Sequence, residues 1–196
     1  MKAEFTIRSY TSEEIARITG GVLVPGRQLH RPITGICTDS REVVPGSLFC
    51  AIVGERTDGH MYIDTACREG AACILAQRAV ENCPVDTVVV PDTVRAIGDL
   101  AGHYRDQAPV RVIAITGSVG KTTTKEMTAA VLSQGKTLFK KDGNYNSTIG
   151  LPLSFMEIPT DTACAVLEMG MSGRGEISAM TAAVRPNIAV VANIGS

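Results

Sequence analysis

The chain has 196 residues, 44% of them hydrophobic and 20% charged, with a formal net charge of −1. That balance predicts a packed core rather than disorder, and it gives no basic surface for nucleic acid or an anionic membrane. No apolar run approaches the ~20 residues a membrane-spanning helix needs, and Met1-Lys-Ala-Glu-Phe5 carries no apolar signal segment, so a cytoplasmic protein is expected.

The length allows one large domain or two small ones. The six cysteines, Cys37, Cys50, Cys67, Cys73, Cys83 and Cys164, include no C-x-x-C pair and no Cys/His cluster with zinc spacing. Four of them, Cys37, Cys50, Cys73 and Cys164, lie in apolar strand-like runs. Reduced, mostly buried small hydrophobes are expected.

Thr11 with Glu14 three residues on is a capping-box pattern. It predicts a short helix with Ile15 and Ile18 on one face, stopped at Gly20-Gly21. Ile33–Thr38 and Leu48–Val53 read as strands. Polar loops follow each of them, at Asp39–Gly46 and Gly54–His60. Ser40, Arg41, Arg56 and His60 are donors suited to an anionic ligand such as a diphosphate, although solvated turns would carry the same residues. Ile63–Glu69 reads as a helix, and Ala72–Leu75 and Thr87–Val90 as strands. Asp92 then caps a helix reaching about Gln107, with Val94, Ile97, Leu100 and Tyr104 at helical spacing. Ala108-Pro109 closes it and marks the expected domain boundary, dividing the chain into 1–108 and 109–196.

The second part opens on Arg111-Val-Ile-Ala-Ile-Thr-Gly-Ser-Val-Gly-Lys-Thr-Thr-Thr124. An apolar strand, a turn with Gly117 and Gly120, then Lys121 and threonines opening a helix is the context of a phosphate-binding loop. Gly117, Ser118, Val119 and Gly120 would bring backbone N–H groups to phosphate oxygens, with Thr123 in the helix's first turn. Lys121 can reach the outer phosphates, and the Thr122 hydroxyl is placed to ligate Mg²⁺. The pattern departs from G-x-x-x-x-G-K-[ST] at its first position, which holds Ile115, so Gly117 must make the turn. The helix is expected from Lys121 to about Ser133, with Met127, Ala130 and Val131 in its apolar pattern. Thr137–Phe139 is a short strand, Lys140–Ser147 a polar loop and Thr148–Ile158 a helix. Ala163–Glu168 is a buried strand whose terminal carboxylate would reach the same Mg²⁺, because ligands of open α/β sheets lie beyond the carboxyl ends of strands. Gly175–Ala183 reads as a helix and Asn187–Ala192 as one more parallel strand. With three or four strands after Val110, the second part reads as a sheet cut short.

These segments together resemble the Mur ligases, the amide-forming enzymes of peptidoglycan synthesis. The resemblance rests on Thr38-Asp-Ser-Arg41, Val44-Pro-Gly-Ser-Leu-Phe49, Gly54 through His60, Thr116–Glu126, Asn144 through Leu153, Glu168-Met-Gly170 with Gly175-Glu-Ile177, and Asn193-Ile-Gly195. It implies an α/β protein with a small N-terminal α/β substrate domain followed by a truncated P-loop, parallel-sheet ATPase domain. Ser40 and Arg41 would be the first contacts to a uridine diphosphate, and Asn144 and Asn146 would face nucleotide and substrate. Ser147 stands where the family commonly has a second asparagine. ATP and Mg²⁺ are the implied cofactors, with Lys121 and Glu168 in the catalytic roles.

Within the family, Glu168-Met-Gly170 and Gly175-Glu-Ile177 resemble the branch that joins D-alanyl-D-alanine to UDP-N-acetylmuramoyl-tripeptide through an acyl phosphate. Those two molecules are the implied partners, and a monomer is expected. The family continues past Asn-Ile-Gly with Ala-His-Leu-Glu, a carbamylated lysine and a third domain. The chain on its own is therefore expected to have little ligase activity. Two other readings stay open on the residues: another P-loop nucleotidase or kinase, and a non-catalytic module that holds a UDP-linked substrate.

Overall fold

A computed structural model describes residues 1–28, 31–141, 143 and 145–195. The chain divides into two compact units, Met1–Leu100 and Ala101–Ser196.

The first unit is built on six strands: β1 (Lys2–Glu4), β2 (Val22–Val24), β3 (Gly35–Cys37), β4 (Ser47–Cys50), β5 (Cys73–Ala76) and β6 (Asp86–Val89). They form one sheet in the order β1-β3-β4-β5-β6-β2. The four central strands are parallel, and β1 and β2 close the two edges antiparallel. β3, β4 and β5 are buried along their whole length, as expected of parallel strands covered on both faces. Phe49, Ile74, Ile63 and Ala66 share one buried cluster, which seats α2 (Ile63–Arg68) on the sheet. The two edge strands are the elements that periodicity does not predict. Each is three residues long and finds its partner far along the chain.

α1 (Ser12–Thr19) begins at Thr11, whose hydroxyl accepts from the Glu14 N–H while the Glu14 carboxylate accepts from the Thr11 N–H. Gly20, in the left-handed conformation, ends it. α3 (Thr93–Gln107) begins where the Asp92 carboxylate accepts from the Val94 and Arg95 N–H groups. Its first turns belong to one unit and its last turns to the other.

The second unit contains β7 (Arg111–Thr116), α4 (Lys121–Leu132), β8 (Leu138–Phe139), α5 (Gly150–Met156), β9 (Cys164–Glu168), α6 (Glu176–Val184) and β10 (Ile188–Val191). Its four strands are parallel in the order β10-β7-β9-β8. The chain is thus an α/β protein of parallel sheets, as the sequence implies. Within the second unit, Tyr104 packs edge-on against Phe155 with ring centroids 6.2 Å apart, and both are fully buried.

The expected apolar face of α4 is not the face it buries. Met127 and Val131 are exposed, whereas Ala129 and Lys125 are buried. The Lys125 ammonium is satisfied there by the Lys141 carbonyl at 3.1 Å and by Glu126. A lysine can be carried inward when its stem is apolar and its head finds oxygens. α5 is shorter than its apolar pattern, starting at Gly150, where the Ser147 hydroxyl accepts the Gly150 N–H.

Candidate functional site

β7 delivers the glycine turn. Its neighbours β9 and β10 end level with it, Ile115 pairing with Glu168 and Thr116 with Val191. The loop after β7 therefore lies between the carboxyl ends of two flanking strands, where open parallel sheets bind ligands. Gly117 has φ 139°, and a Cβ there would stand 2.8 Å from the Asn193 backbone nitrogen and oxygen. No L side chain fits, so the turn that Ile115 cannot make falls to Gly117. The Ser118 N–H is taken up by the Asn193 carbonyl at 2.9 Å, and the Ser118 hydroxyl accepts from Gly195 N–H at 3.0 Å. Those bonds fix the loop to the segment after β10. Val119 is exposed at the tip.

Gly120, at φ 83°, is the N-cap of α4, and no side chain caps that end. The first-turn N–H groups of Lys121, Thr122 and Thr123 have no intrahelical carbonyl to bond, and the helix dipole makes the end electropositive. Lys121 Nζ folds over the loop, donating to Gly117 O at 2.8 Å and Ser118 O at 3.4 Å. Thr122 Oγ1 donates to Glu168 Oε2 at 2.9 Å, and Asn146 Nδ2 donates to Glu168 Oε1 at 3.1 Å. Asn146 is itself fixed because its carbonyl accepts the Gly170 N–H at 2.8 Å. A Cβ on Gly170 would stand 3.2 Å from the Asn146 side-chain amide and backbone carbonyl, a tight approach.

Lys121, Thr122, Glu168 and Asn146 thus come together from three separate stretches of chain. Asn144 lies outside the described residues. Among the described residues no group of three or more His, Cys, Asp or Glu side chains could hold a metal. The donors beside the loop are a hydroxyl and one carboxylate, hard oxygen ligands that suit Mg²⁺, which keeps most of its own waters. The uncapped helix end and the glycine cradle likewise fit a phosphate chain. The Ser147 hydroxyl accepts the Gly150 N–H at 3.1 Å, at the start of α5.

In the first unit the two polar loops meet in one cleft of about 460 Å³. Thr38 through Arg41 line it from one side and Gly54, Thr57, Gly59 and Tyr62 from the other, with Phe49 and Ile52 on its floor. Asp39 starts a 3₁₀ turn at Ser40–Glu42 by accepting the Arg41 N–H at 3.0 Å. It also holds the Arg41 guanidinium at both ends, 2.9 Å to Nε and 2.6 Å to Nη2. That fork keeps the Asp39 carboxyl down at about 2 and leaves Arg41 86% exposed at the rim. Ser40 is buried beside it.

His60 is a structural residue. Its Nδ1 sits 2.6 Å from Asp58, and its Nε2 accepts the Gln77 N–H at 3.0 Å, so both ring nitrogens serve the fold. The Arg78 guanidinium on the same carboxylate, with His60, holds Asp58 well below the usual carboxylate range. Arg56 does not line the cleft. Tyr62 and Asp39 also line the cleft, beyond the residues the sequence pattern marks. Asp39 lies two residues before Arg41, close enough to signal the pairing, whereas nothing local marks Tyr62.

A glycine loop on a parallel sheet, with a lysine, a threonine and a carboxylate converging on an uncapped helix end, is the arrangement of a P-loop-like α/β protein. Comparison with known proteins narrows this. The Mur ligase family, catalytic domain, matches residues 32–105, and the Mur ligase middle domain matches residues 115–196. The chain belongs to the Mur ligase family.

The UDP-N-acetylmuramoyl-tripeptide--D-alanyl-D-alanine ligase of Bacillus subtilis is 41% identical over 187 residues, covering 94% of this chain and 41% of that relative. The Escherichia coli ligase of the same name is 41% identical over 165 residues, covering 84% of this chain and 36% of that one. A crystal structure of MurF from Acinetobacter baumannii matches with a TM-score of 0.87 at 33% identity, over 97% of this chain and 42% of that one. MurF ligase from Thermotoga maritima in complex with ADP matches with a TM-score of 0.76 at 37% identity, over 82% of this chain and 38% of that one. The chain spans about two-fifths of the length of the curated relatives it matches.

Proposed function

We propose that the chain supplies the UDP-substrate and phosphate-binding parts of an ATP-dependent ligase that joins D-alanyl-D-alanine to UDP-N-acetylmuramoyl-tripeptide. The division of labour follows the expected domains, 1–108 for the UDP-linked substrate and 109–196 for the nucleotide. The observation that carries the reading is the Thr122–Glu168 hydrogen bond beside the uncapped start of α4, in a chain at about 40% identity to ligases of that name.

In this reading the N–H groups at Gly120 through Thr123 hold phosphate oxygens by fixed dipoles. Lys121 leaves the Gly117 carbonyl and turns its ammonium to the outer phosphates. Thr122 and Glu168 hold Mg²⁺, which when bound neutralises charge on the transferred phosphoryl group. Asn146 keeps the Glu168 carboxylate in one orientation. At the other site Arg41, aimed by Asp39, pairs with a diphosphate, and Tyr62, Phe49 and Ile52 offer apolar surface to the rest of the ligand. A cytoplasmic monomer fits this role, and no helix among the described residues is long and apolar enough to cross a membrane.

Isothermal titration of UDP-N-acetylmuramoyl-tripeptide into this chain and its Arg41→Ala variant tests the substrate assignment. Binding that plain UDP competes away, and that weakens about tenfold or more in the variant, supports it. Binding of Mg-ATP with no affinity for any UDP ligand would favour a generic nucleotidase.

A further inference from the structure

Cys67 and Cys83 are the cysteines whose position the nucleotide and substrate sites leave unexplained. Cys67 sits in the last turn of α2, and Cys83 in the segment between β5 and β6, sixteen positions along the chain. Their sulfurs lie 3.9 Å apart and share a hydrogen bond. Both are partly exposed, packed with Val80 at the margin of the core cluster. The other four cysteines, Cys37, Cys50, Cys73 and Cys164, are buried.

We propose that Cys67 and Cys83 form an oxidation site for a peroxide-class oxidant, closing reversibly to an intramolecular disulfide. Two features support it. The pair is near enough to bond after a small movement of α2, a six-residue helix at the surface of the sheet. The contact between the two sulfurs also lowers the Cys83 thiol from its ordinary value, while the same contact raises that of Cys67. Cys83 is therefore the nucleophile and Cys67 the resolving thiol, an arrangement that favours sensing over damage.

The chemistry balances with hydrogen peroxide as oxidant. The Cys83 thiolate attacks one peroxide oxygen, the O–O bond breaks and hydroxide leaves, giving a sulfenic acid. Cys67 Sγ attacks Cys83 Sγ, the S–O bond breaks, and water leaves with the remaining protons. Two thiols are oxidised and one peroxide is reduced to two waters. The link ties α2 to the segment before β6. Because α2 continues directly from the turn at Gly59–Tyr62, which lines the substrate cleft, the site lies next to a ligand-facing element.

The test is brief exposure of the native chain to hydrogen peroxide, quenching with an alkylating agent, and intact mass and peptide mapping. The expected result is the loss of two of the six thiols, a mass lower by about 2 Da before alkylation, a Cys67–Cys83 cross-link, and full recovery with a dithiol reductant. Cys67→Ser should stop at a sulfenic acid on Cys83 that dimedone captures, and Cys83→Ser should leave Cys67 reduced at the same dose. Six surviving thiols at a dose that oxidises free cysteine would overturn the proposal. So would a cross-link between other cysteines or between two molecules, or sulfinic acids without a link.

Discussion

Thr122 donates to Glu168 across forty-six residues of sequence, at 2.9 Å, joining the first turn of α4 to the last residue of β9. The contact brings an oxygen pair beside the uncapped start of α4, and Asn146 donates to the other Glu168 oxygen at 3.1 Å. The proposed phosphate and metal site rests on that convergence.

Glu168→Gln tests the pair directly. The amide keeps the size of the side chain and removes its charge. Mg-ADP titrated into the variant should bind about tenfold or more weakly, and the dependence of affinity on Mg²⁺ should flatten. Undiminished Mg²⁺ dependence would remove Glu168 from the metal site.

Lys121→Ala removes the ammonium that now rests on Gly117 O. A charged hydrogen bond contributes about 1.5–3 kcal/mol, so Mg-nucleotide affinity should fall roughly 10- to 100-fold by calorimetry. UDP-tripeptide affinity should stay unchanged, because that ligand is assigned to the other unit. Equal loss of both would contradict the two-site assignment.

Gly117→Ala should lower stability. Its Cβ would meet Asn193 backbone at 2.8 Å, and the φ of 139° suits glycine alone. A strained position of this kind costs about 1–3 kcal/mol. At about 2–4 °C per kcal/mol, calorimetry should find Tm lower by several degrees. An unchanged Tm would mean that the loop relaxes without cost.

Asp39 supplies a pH signature. Its pairing with Arg41 holds its folded-state carboxyl at about 2, below the ordinary 3.8. A depressed carboxylate stabilises the fold fully above the unfolded value, and that contribution is lost as pH falls through the folded one. Stability should therefore drop between about pH 4 and pH 2 by a small amount, since Arg41 is largely exposed. Acid titration of Arg41→Ala should lack that component. An identical acid profile in both proteins would show the fork to be energetically silent.

Elements with local causes were legible in the sequence. Thr11 and Glu14 announce α1 because a capping box spans three residues. The Gly120-Lys121 step announces α4, and the apolar runs of β7, β9 and β10 announce a parallel sheet. Elements decided by distant contacts were not. β1 and β2 are three-residue edges whose pairing depends on β3 and β6. α4 exposes Met127 and Val131 and buries Lys125, whose ammonium reaches the Lys141 carbonyl, a contact that no periodicity encodes. Around the loop, the approach of Glu168 to Thr122 is legible from the rule for strand ends, and the other couplings are not. The hold of Asn193 on Ser118 and the closure of His60 onto Gln77 appear only once the chain is folded.

The most direct measurement is a thermal-shift titration of this chain with UDP-N-acetylmuramoyl-tripeptide, plain UDP and Mg-ATP in parallel. Ligand at about 100 times its dissociation constant adds roughly 2.7 kcal/mol. For a chain of this size that is about 5–10 °C in Tm. With the ligands at equal concentration, a shift with Mg-ATP and a larger shift with the UDP-tripeptide than with UDP are expected. A shift with Mg-ATP and none with either UDP ligand would contradict that expectation.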